Sequence, residues 1–127
     1  MYPESVDKNK VGEYDASSKS GGGYFYDDIL EYRVWCRPWE GAPDEFSGEI
    51  YYYAFHTYDE ALDFSHKTDG SEEPLVLIRQ NEWIDEPENG KLIHEVGERI
   101  TEWCVEWLID GKRTENSISS FINAKNV

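Results

Sequence analysis

The stretch YYYAFHTYDEALDF, residues 51–64, carries six aromatic rings in fourteen positions and changes its character half-way. Ile50 to Phe55 is rich in aromatic residues, which favours a β-strand. Thr57 and Glu60 then form the Ser/Thr-x-x-Glu capping box that begins a helix, and Gly70 is a plausible stop after it. The stretch therefore predicts a strand followed directly by a short amphipathic helix. Most of its rings are expected to fill the core between that helix and a sheet.

A second strand is predicted by the alternation in ILEYRVWCRPW. One face carries Leu30, Tyr32, Val34 and Cys36, and the other carries Glu31, Arg33, Trp35 and Arg37. A period of two is typical of a strand with one buried face. Pro38 is expected to end this strand, because proline removes a backbone donor.

The second half of the chain predicts further strands and a terminal helix. PLVLIRQ is apolar on both faces around residues 75–78, as in a central, covered strand, and residues 87–90 are typical of a hairpin tip. Residues 99–109 form the longest strand candidate, with an apolar face of Thr101, Trp103, Val105, Trp107 and Ile109. Trp103 and Trp107 are both expected to lie inside, because they share this face. SISSFINAK predicts a short C-terminal helix. The fold class is therefore α+β: a mostly antiparallel sheet of four to five strands with one main helix packed on one face.

The N-terminal residues predict a disordered tail. VDKNKVGEYDASSKSGGG is polar, lacks periodicity and ends in a glycine-rich linker. Residues 1–23 are therefore interpreted as a tail, and residues 24–127 as a single α+β domain.

Charge and cysteine content limit the classes of function. Twenty-seven acidic and twelve basic residues give a net charge of −15. A field of this sign repels nucleic acids and anionic membranes, so neither is an expected partner. There is no signal peptide pattern or apolar run long enough for a membrane span, and two cysteines are too few for a disulfide framework. A soluble, cytoplasmic protein is the expectation.

Catalytic and metal-binding motifs are missing from the sequence. Cys36 and Cys104 stand alone, and the three histidines form no H-x-x-x-H pair, so no metal site is predicted. GKRT at residues 111–114 is similar to the end of a phosphate loop, but Glu106 stands where the first glycine would be. Paired carboxylates are frequent, as expected in so acidic a chain.

The candidate surface for a ligand or partner combines aromatic and charged residues. Trp35 shares its strand face with Arg33 and Arg37, and Trp39 follows Pro38 into a loop. Large aromatic residues on a polar face are typical interface anchors. Glu102 and Glu106 have the same spacing of four as the two arginines, so the two sets are expected to pair if their strands are neighbours. Such pairs fit either a structural role or the binding of a substrate carboxylate, and the structural role is favoured.

A resemblance to known proteins is carried by GYFYDDILEYRVWCRPWEGAPDEFSGEIYYYAFHTYDEALDFS, EEPLVLIRQNEWIDEPENGK and RITEWCVEWL. Through these segments, residues 24–121 resemble a small uncharacterised bacterial family whose members are often labelled GNAT-type N-acetyltransferases. The resemblance implies an acyltransferase that uses acetyl-CoA, but it assigns no catalytic residues. The [Gln/Arg]-x-x-Gly-x-[Gly/Ala] loop that holds the coenzyme A pyrophosphate at a helix N-terminus does not occur after any predicted strand.

Two main functions follow as hypotheses. The first is a non-enzymatic binding or accessory module that docks a protein partner or a small ligand through exposed aromatic residues, without a cofactor. The second is an acyltransferase, as the resemblance implies. A domain that binds a small ligand in an aromatic-lined cleft lies between them.

Overall fold

The computed structural model describes residues 2–15, 22–109 and 111–126. Four antiparallel strands form one sheet in the order β2-β1-β3-β4. They are β1 (Asp28–Cys36), β2 (Tyr51–Phe55), β3 (Leu75–Glu88) and β4 (Lys91–Cys104). Two helices, α1 (Tyr58–Lys67) and α2 (Ser117–Lys125), and short 3-10 turns complete the described elements. The predicted α+β class is confirmed. No helix in the described ranges is long and apolar enough to cross a membrane.

The strand-to-helix transition of the aromatic stretch is confirmed. Thr57 is the N-cap of α1, and its hydroxyl oxygen accepts from the backbone N–H of Glu60 at 3.2 Å. Asp59 and Glu60 lie in the first turn, where the helix dipole favours negative charge. Ala61 is buried against the sheet, while the charged residues of α1 face outward. The capping box therefore fixes the residue at which the chain leaves β2 and begins the helix.

The core lies between α1 and one face of the sheet. Tyr32 and Val34 of β1 and Val76 and Ile78 of β3 are buried there with Ala61. The rings of the aromatic stretch continue from this core to the outer edge of β2, where Tyr53 is exposed. Successive centroids of Phe55, Phe64, Tyr53 and Tyr51 are less than 6 Å apart. Such contacts add to the stability that burial supplies. The interpretation that most of the aromatic surface is core agrees with this packing.

A bulge in β1 sets which residues face away from α1. The register with β3 shifts between Ile29 and Glu31, so Leu30 is an extra residue and the alternation changes phase there. Beyond the bulge, Glu31 and Arg33 lie on the face opposite Tyr32, as the period of two predicts. Both charged residues are nonetheless fully buried.

The longest predicted strand ends earlier than expected. β4 stops at Cys104, and Val105–Leu108 form a 3-10 turn. Cys104 pairs with Leu75, the first residue of β3, and the preceding residue is Pro74, which has no N–H to donate. The ladder has no partner strand beyond this point. The prediction that Trp107 lies inside with Trp103 is therefore wrong: Trp107 is 40% exposed and Trp103 only 1%.

Residues 2–15 lie against the sheet, in contrast to the predicted free tail. The backbone N–H of Val6 donates to the Ile29 carbonyl at 2.7 Å, at the part of β1 that β2 does not reach. The hydroxyl of Tyr32 donates to the Pro3 carbonyl, and Tyr2 packs on Tyr58. Residues 16–21, also part of the predicted tail, lie outside the described residues. The described N-terminal segment thus packs with the domain that the sequence assigned to residues 24–127.

Candidate functional site

Arg33 lies at the centre of a buried polar cluster on the sheet face opposite α1. Its Nε donates to Glu31 Oε2 at 2.6 Å, and its Nη1 donates to Glu102 Oε2 at 2.9 Å. Its Nη2 donates to the Asp15 carbonyl at 2.8 Å. Since all three guanidinium nitrogens are engaged and the side chain is fully buried, Arg33 is not available to a carboxylate from solution.

Two aromatic residues enclose this cluster. The ring of Tyr52 lies under the guanidinium of Arg33, and the distance from the ring centroid to Arg33 Cζ is 4.3 Å. The hydroxyl of Tyr52 donates to the Tyr14 carbonyl. Trp35 stacks at an angle on Tyr52 and donates from Nε1 to Glu102 Oε2 at 3.0 Å. Burial raises the pKa of the Tyr52 hydroxyl, and the charge of Arg33 partly opposes this rise. Trp35 is therefore a wall of the buried cluster and is half-buried.

The expected pairing of arginines with glutamates forms at one of its two positions. Arg33 reaches Glu102 even though β1 and β4 are not neighbours, because both side chains are long enough to span β3. Arg37 does not reach Glu106: it pairs with Glu72 and with Glu40 at the surface. Glu106 lies beyond the end of β4, in the 3-10 turn, and is exposed. The premise of adjacent strands was wrong, and the early end of β4 removed the second pair.

Trp39 lies on a separate, exposed surface. It occupies the 3-10 turn Pro38–Glu40 and is 63% exposed. Cys36, the last residue of β1, pairs with Tyr51, the first residue of β2. The turn that carries Trp39 therefore lies at the same end of the sheet as Ile50, which precedes β2. Exposed apolar residues at this end and along β2, which forms one edge of the sheet, are Trp39, Phe46, Ile50 and Tyr53. We call these four residues the β2-edge surface.

A third location holds aromatic residues around an open cleft. Trp103, the most deeply buried tryptophan of the described residues, lines it together with Trp107 and Tyr24. Glu106, an exposed residue of the 3-10 turn after β4, also lines it. We call this the tryptophan cleft.

Sequence reasoning missed several residues of these sites. Glu31 was assigned to the polar face of β1, but nothing in its spacing showed that it shares Arg33 with Glu102. Tyr52 lies between Tyr51 and Tyr53 in the sequence, so the period of two places it on the other face of β2 from these two rings. This alternation could have predicted that Tyr52 shares a sheet face with Arg33. Tyr24 and Trp107 come together only because β4 ends at Cys104, and the sequence carries no signal for that meeting.

Metal binding and family membership have no further support. Among residues 2–15, 22–109 and 111–126, no group of three or more histidine, cysteine or carboxylate side chains is placed to hold a metal ion. Comparison with known proteins gave no match to a family model, to a curated protein or to a solved structure. The acetyltransferase resemblance and its acetyl-CoA cofactor therefore stay hypotheses.

Proposed function

We propose that this protein is a non-enzymatic binding module that docks a protein partner through the β2-edge surface. The observation that supports this most is the exposure of Trp39 beside an edge strand that also presents Tyr53. Exposed aromatic residues of this size are typical anchors of protein interfaces. An edge strand also offers unpaired backbone groups, to which an extended segment of another protein adds as a further strand.

The charge around this surface selects a basic partner. Residues 38–69 contain eight carboxylates and a single lysine, Lys67. That lysine is already paired with Asp63 at 2.9 Å. Glu45 accepts from the Tyr53 hydroxyl at 2.6 Å, so a carboxylate lies at the aromatic surface itself. A lysine- or arginine-rich segment with apolar side chains on alternate positions has the complementary chemistry.

The test uses a synthetic peptide of about six residues that alternates lysine and leucine, the length of an ordinary strand. A peptide that alternates glutamate and leucine is the matched control. Binding is followed by two-dimensional NMR, with the indole N–H of Trp39 and the amides of residues 50–55 as reporters. The lysine peptide is expected to shift these signals, and the glutamate peptide is not.

Variants locate the binding. Trp39→Ala and Phe46→Ala are expected to weaken binding of the lysine peptide. Val96→Ala on the opposite edge strand, where Val96 is also exposed to solvent, is expected to leave it unchanged. The proposal is refuted if the glutamate peptide binds as tightly as the lysine peptide, or if binding of the lysine peptide persists in both Trp39→Ala and Phe46→Ala.

The acyltransferase hypothesis is separated by a thermal-shift measurement with acetyl-CoA. A ligand that binds the native state raises the melting temperature by mass action. We expect no shift at millimolar acetyl-CoA, and a clear dose-dependent rise would instead favour the enzyme.

A further inference from the structure

The tryptophan cleft is a candidate site for a small molecule, separate from the β2-edge surface. It has a volume of about 440 Å³, which is within the range of sites for small ligands. Its lining residues come from the end of β4, from the turn that follows it and from the segment before β1. They are Gly22, Tyr24, Trp103, Glu106, Trp107 and Ile109.

Three aromatic rings shape this cleft. Trp103 and Trp107 have their ring centroids 5.9 Å apart and their planes at 75°, so they form two nearly perpendicular surfaces. Trp103 is the floor, since it is almost fully buried, whereas Trp107 and Tyr24 are both about two-fifths exposed at the sides. Perpendicular aromatic surfaces around a cavity are the arrangement by which proteins surround quaternary ammonium groups.

The indole N–H of Trp103 provides an independent observation. This nitrogen is buried and has no hydrogen-bond partner among the described residues. A buried donor without a partner is unfavourable, and each such group in a native protein needs an explanation. Because Trp103 lines the cleft, a ligand oxygen that reached this nitrogen would supply the missing acceptor.

The charge of the cleft selects a cation. Glu106 is exposed and lines the cavity, and it makes none of the ion pairs described for Arg33 or Arg37. The carboxylate adds to the negative faces of the aromatic rings, and the net charge of −15 repels anionic ligands from the whole molecule.

From these observations we infer that the tryptophan cleft binds a small trimethylammonium compound that also carries a hydroxyl or carbonyl oxygen. The trimethylammonium group lies against Trp107 and Tyr24 with Glu106 as its counter-ion. The oxygen accepts from Trp103 Nε1. Choline is the simplest compound with both groups, and trimethylated lysine presents the same cation on a peptide.

The experiment is a titration followed by ligand-observed NMR and by tryptophan fluorescence, at constant ionic strength. Choline is compared with 3,3-dimethyl-1-butanol, its uncharged isostere, and with tetramethylammonium, which lacks the oxygen. Choline is expected to bind with a dissociation constant of about 1 mM or below, and each analogue at least about threefold more weakly. An N-acetylated trimethyl-lysine amide is titrated in parallel. Tighter binding of choline would indicate a free solute as the natural ligand, and tighter binding of the lysine derivative would indicate a modified protein.

Substitutions then place the ligand. Trp107→Ala and Glu106→Gln are expected to weaken choline binding by about tenfold or more, and Trp103→Phe is expected to remove the difference between choline and tetramethylammonium. Trp39→Ala, on the β2-edge surface, is the control and should leave the affinity unchanged. Circular dichroism checks that each variant folds. If Trp103→Phe does not fold, the comparison of the three ligands on the unmodified protein decides the role of the oxygen.

The inference is overturned if neither choline nor the lysine derivative binds at about 10 mM, or if the uncharged isostere binds as well as choline. Binding that persists in both Trp107→Ala and Glu106→Gln would also overturn it. None of these results depends on the lysine–leucine peptide, so the cleft and the β2-edge surface succeed or fail separately.

Discussion

Arg33 Nη1 donates to Glu102 Oε2 at 2.9 Å, although the two residues are 69 positions apart and their strands are separated by β3. Two inter-strand spacings amount to roughly 10 Å, so only a pair of long side chains spans that distance. Glu31 accepts from the same guanidinium on the other side. The three charges therefore join β1 to β4 across a strand that contributes only apolar residues between them.

Removing the guanidinium is expected to destabilise the protein strongly. Arg33→Met would leave two buried carboxylates without their partner, and the free energy of unfolding should fall by about 3–5 kcal/mol. Arg37→Met on the same face is the matched control. It breaks only surface ion pairs and should cost less than about 1 kcal/mol. Urea unfolding of both variants measures the difference, and equal effects would contradict a structural role for the buried cluster.

Deleting residues 1–15 is expected to lower the melting temperature by more than about 5 °C, on the order of 1 kcal/mol. The sequence alone predicted a free tail whose removal would be harmless. In the structure, however, the carbonyl of Asp15 accepts a hydrogen bond from Arg33, and the backbone N–H of Gly12 donates to the carboxylate of Glu31. Tyr2→Ala, which removes a ring packed on Tyr58, should reproduce part of the loss, while Val6→Ala at an exposed position should not. A deletion without effect would restore the interpretation as a dispensable tail.

The N-cap of α1 is tested by substitutions at one residue. Thr57→Ala removes the acceptor for the Glu60 N–H and the hydroxyl that donates to the Glu60 carboxylate, so it should cost about 0.5–2 kcal/mol. Thr57→Ser keeps the oxygen and should cost much less. Thermal or urea unfolding compares the two variants, and equal losses would show that the methyl group of Thr57, and not the cap, is responsible.

Acrylamide quenching distinguishes the tryptophans. In variants that keep one tryptophan each, Trp39 should quench most readily, Trp107 less so and Trp103 least, in the order of their exposure. In a variant that keeps both Trp103 and Trp107, a quaternary ammonium ligand in the tryptophan cleft should reduce the quenching. Equal quenching of Trp103 and Trp107 would indicate that the end of β4 differs from the structure described.

Stability should fall as the pH rises above about 10. Burial raises the pKa of Tyr32 and of Tyr26, and it raises that of Tyr51 to about 12. Because the folded state holds these protons more tightly, the unfolded state binds fewer protons above its own pKa and the free energy of unfolding decreases with pH. The stabilisation is complete below about pH 10 and is lost as the pH approaches the folded values. Tyr32→Phe should make this decrease shallower in urea unfolding between pH 8 and about 11, and an unchanged slope would contradict the assignment to Tyr32.

Local patterns in the sequence were sufficient to predict the positions of most helices, strands and turns. The capping box at Thr57 and Glu60 placed the start of α1, and the alternation from Glu31 to Cys36 separated the two faces of β1, although it gave no sign of the bulge at Leu30. The residues of the hairpin tip and the short C-terminal helix also agree with the structure. These features depend on interactions between residues a few positions apart, which a sequence displays directly.

Tertiary structure alone decided where the charged and aromatic residues meet. The position of β3 between β1 and β4 made Arg33 and Glu102 partners across a strand. Pro74, just before β3, left β4 without a partner beyond Cys104, and Trp107 lies at the surface. The N-terminal segment, polar enough to predict disorder, is held because buried Arg33 and Glu31 require hydrogen-bond partners. Strand order and the satisfaction of buried charges are properties of the assembled sheet, and no local period in the sequence encodes them.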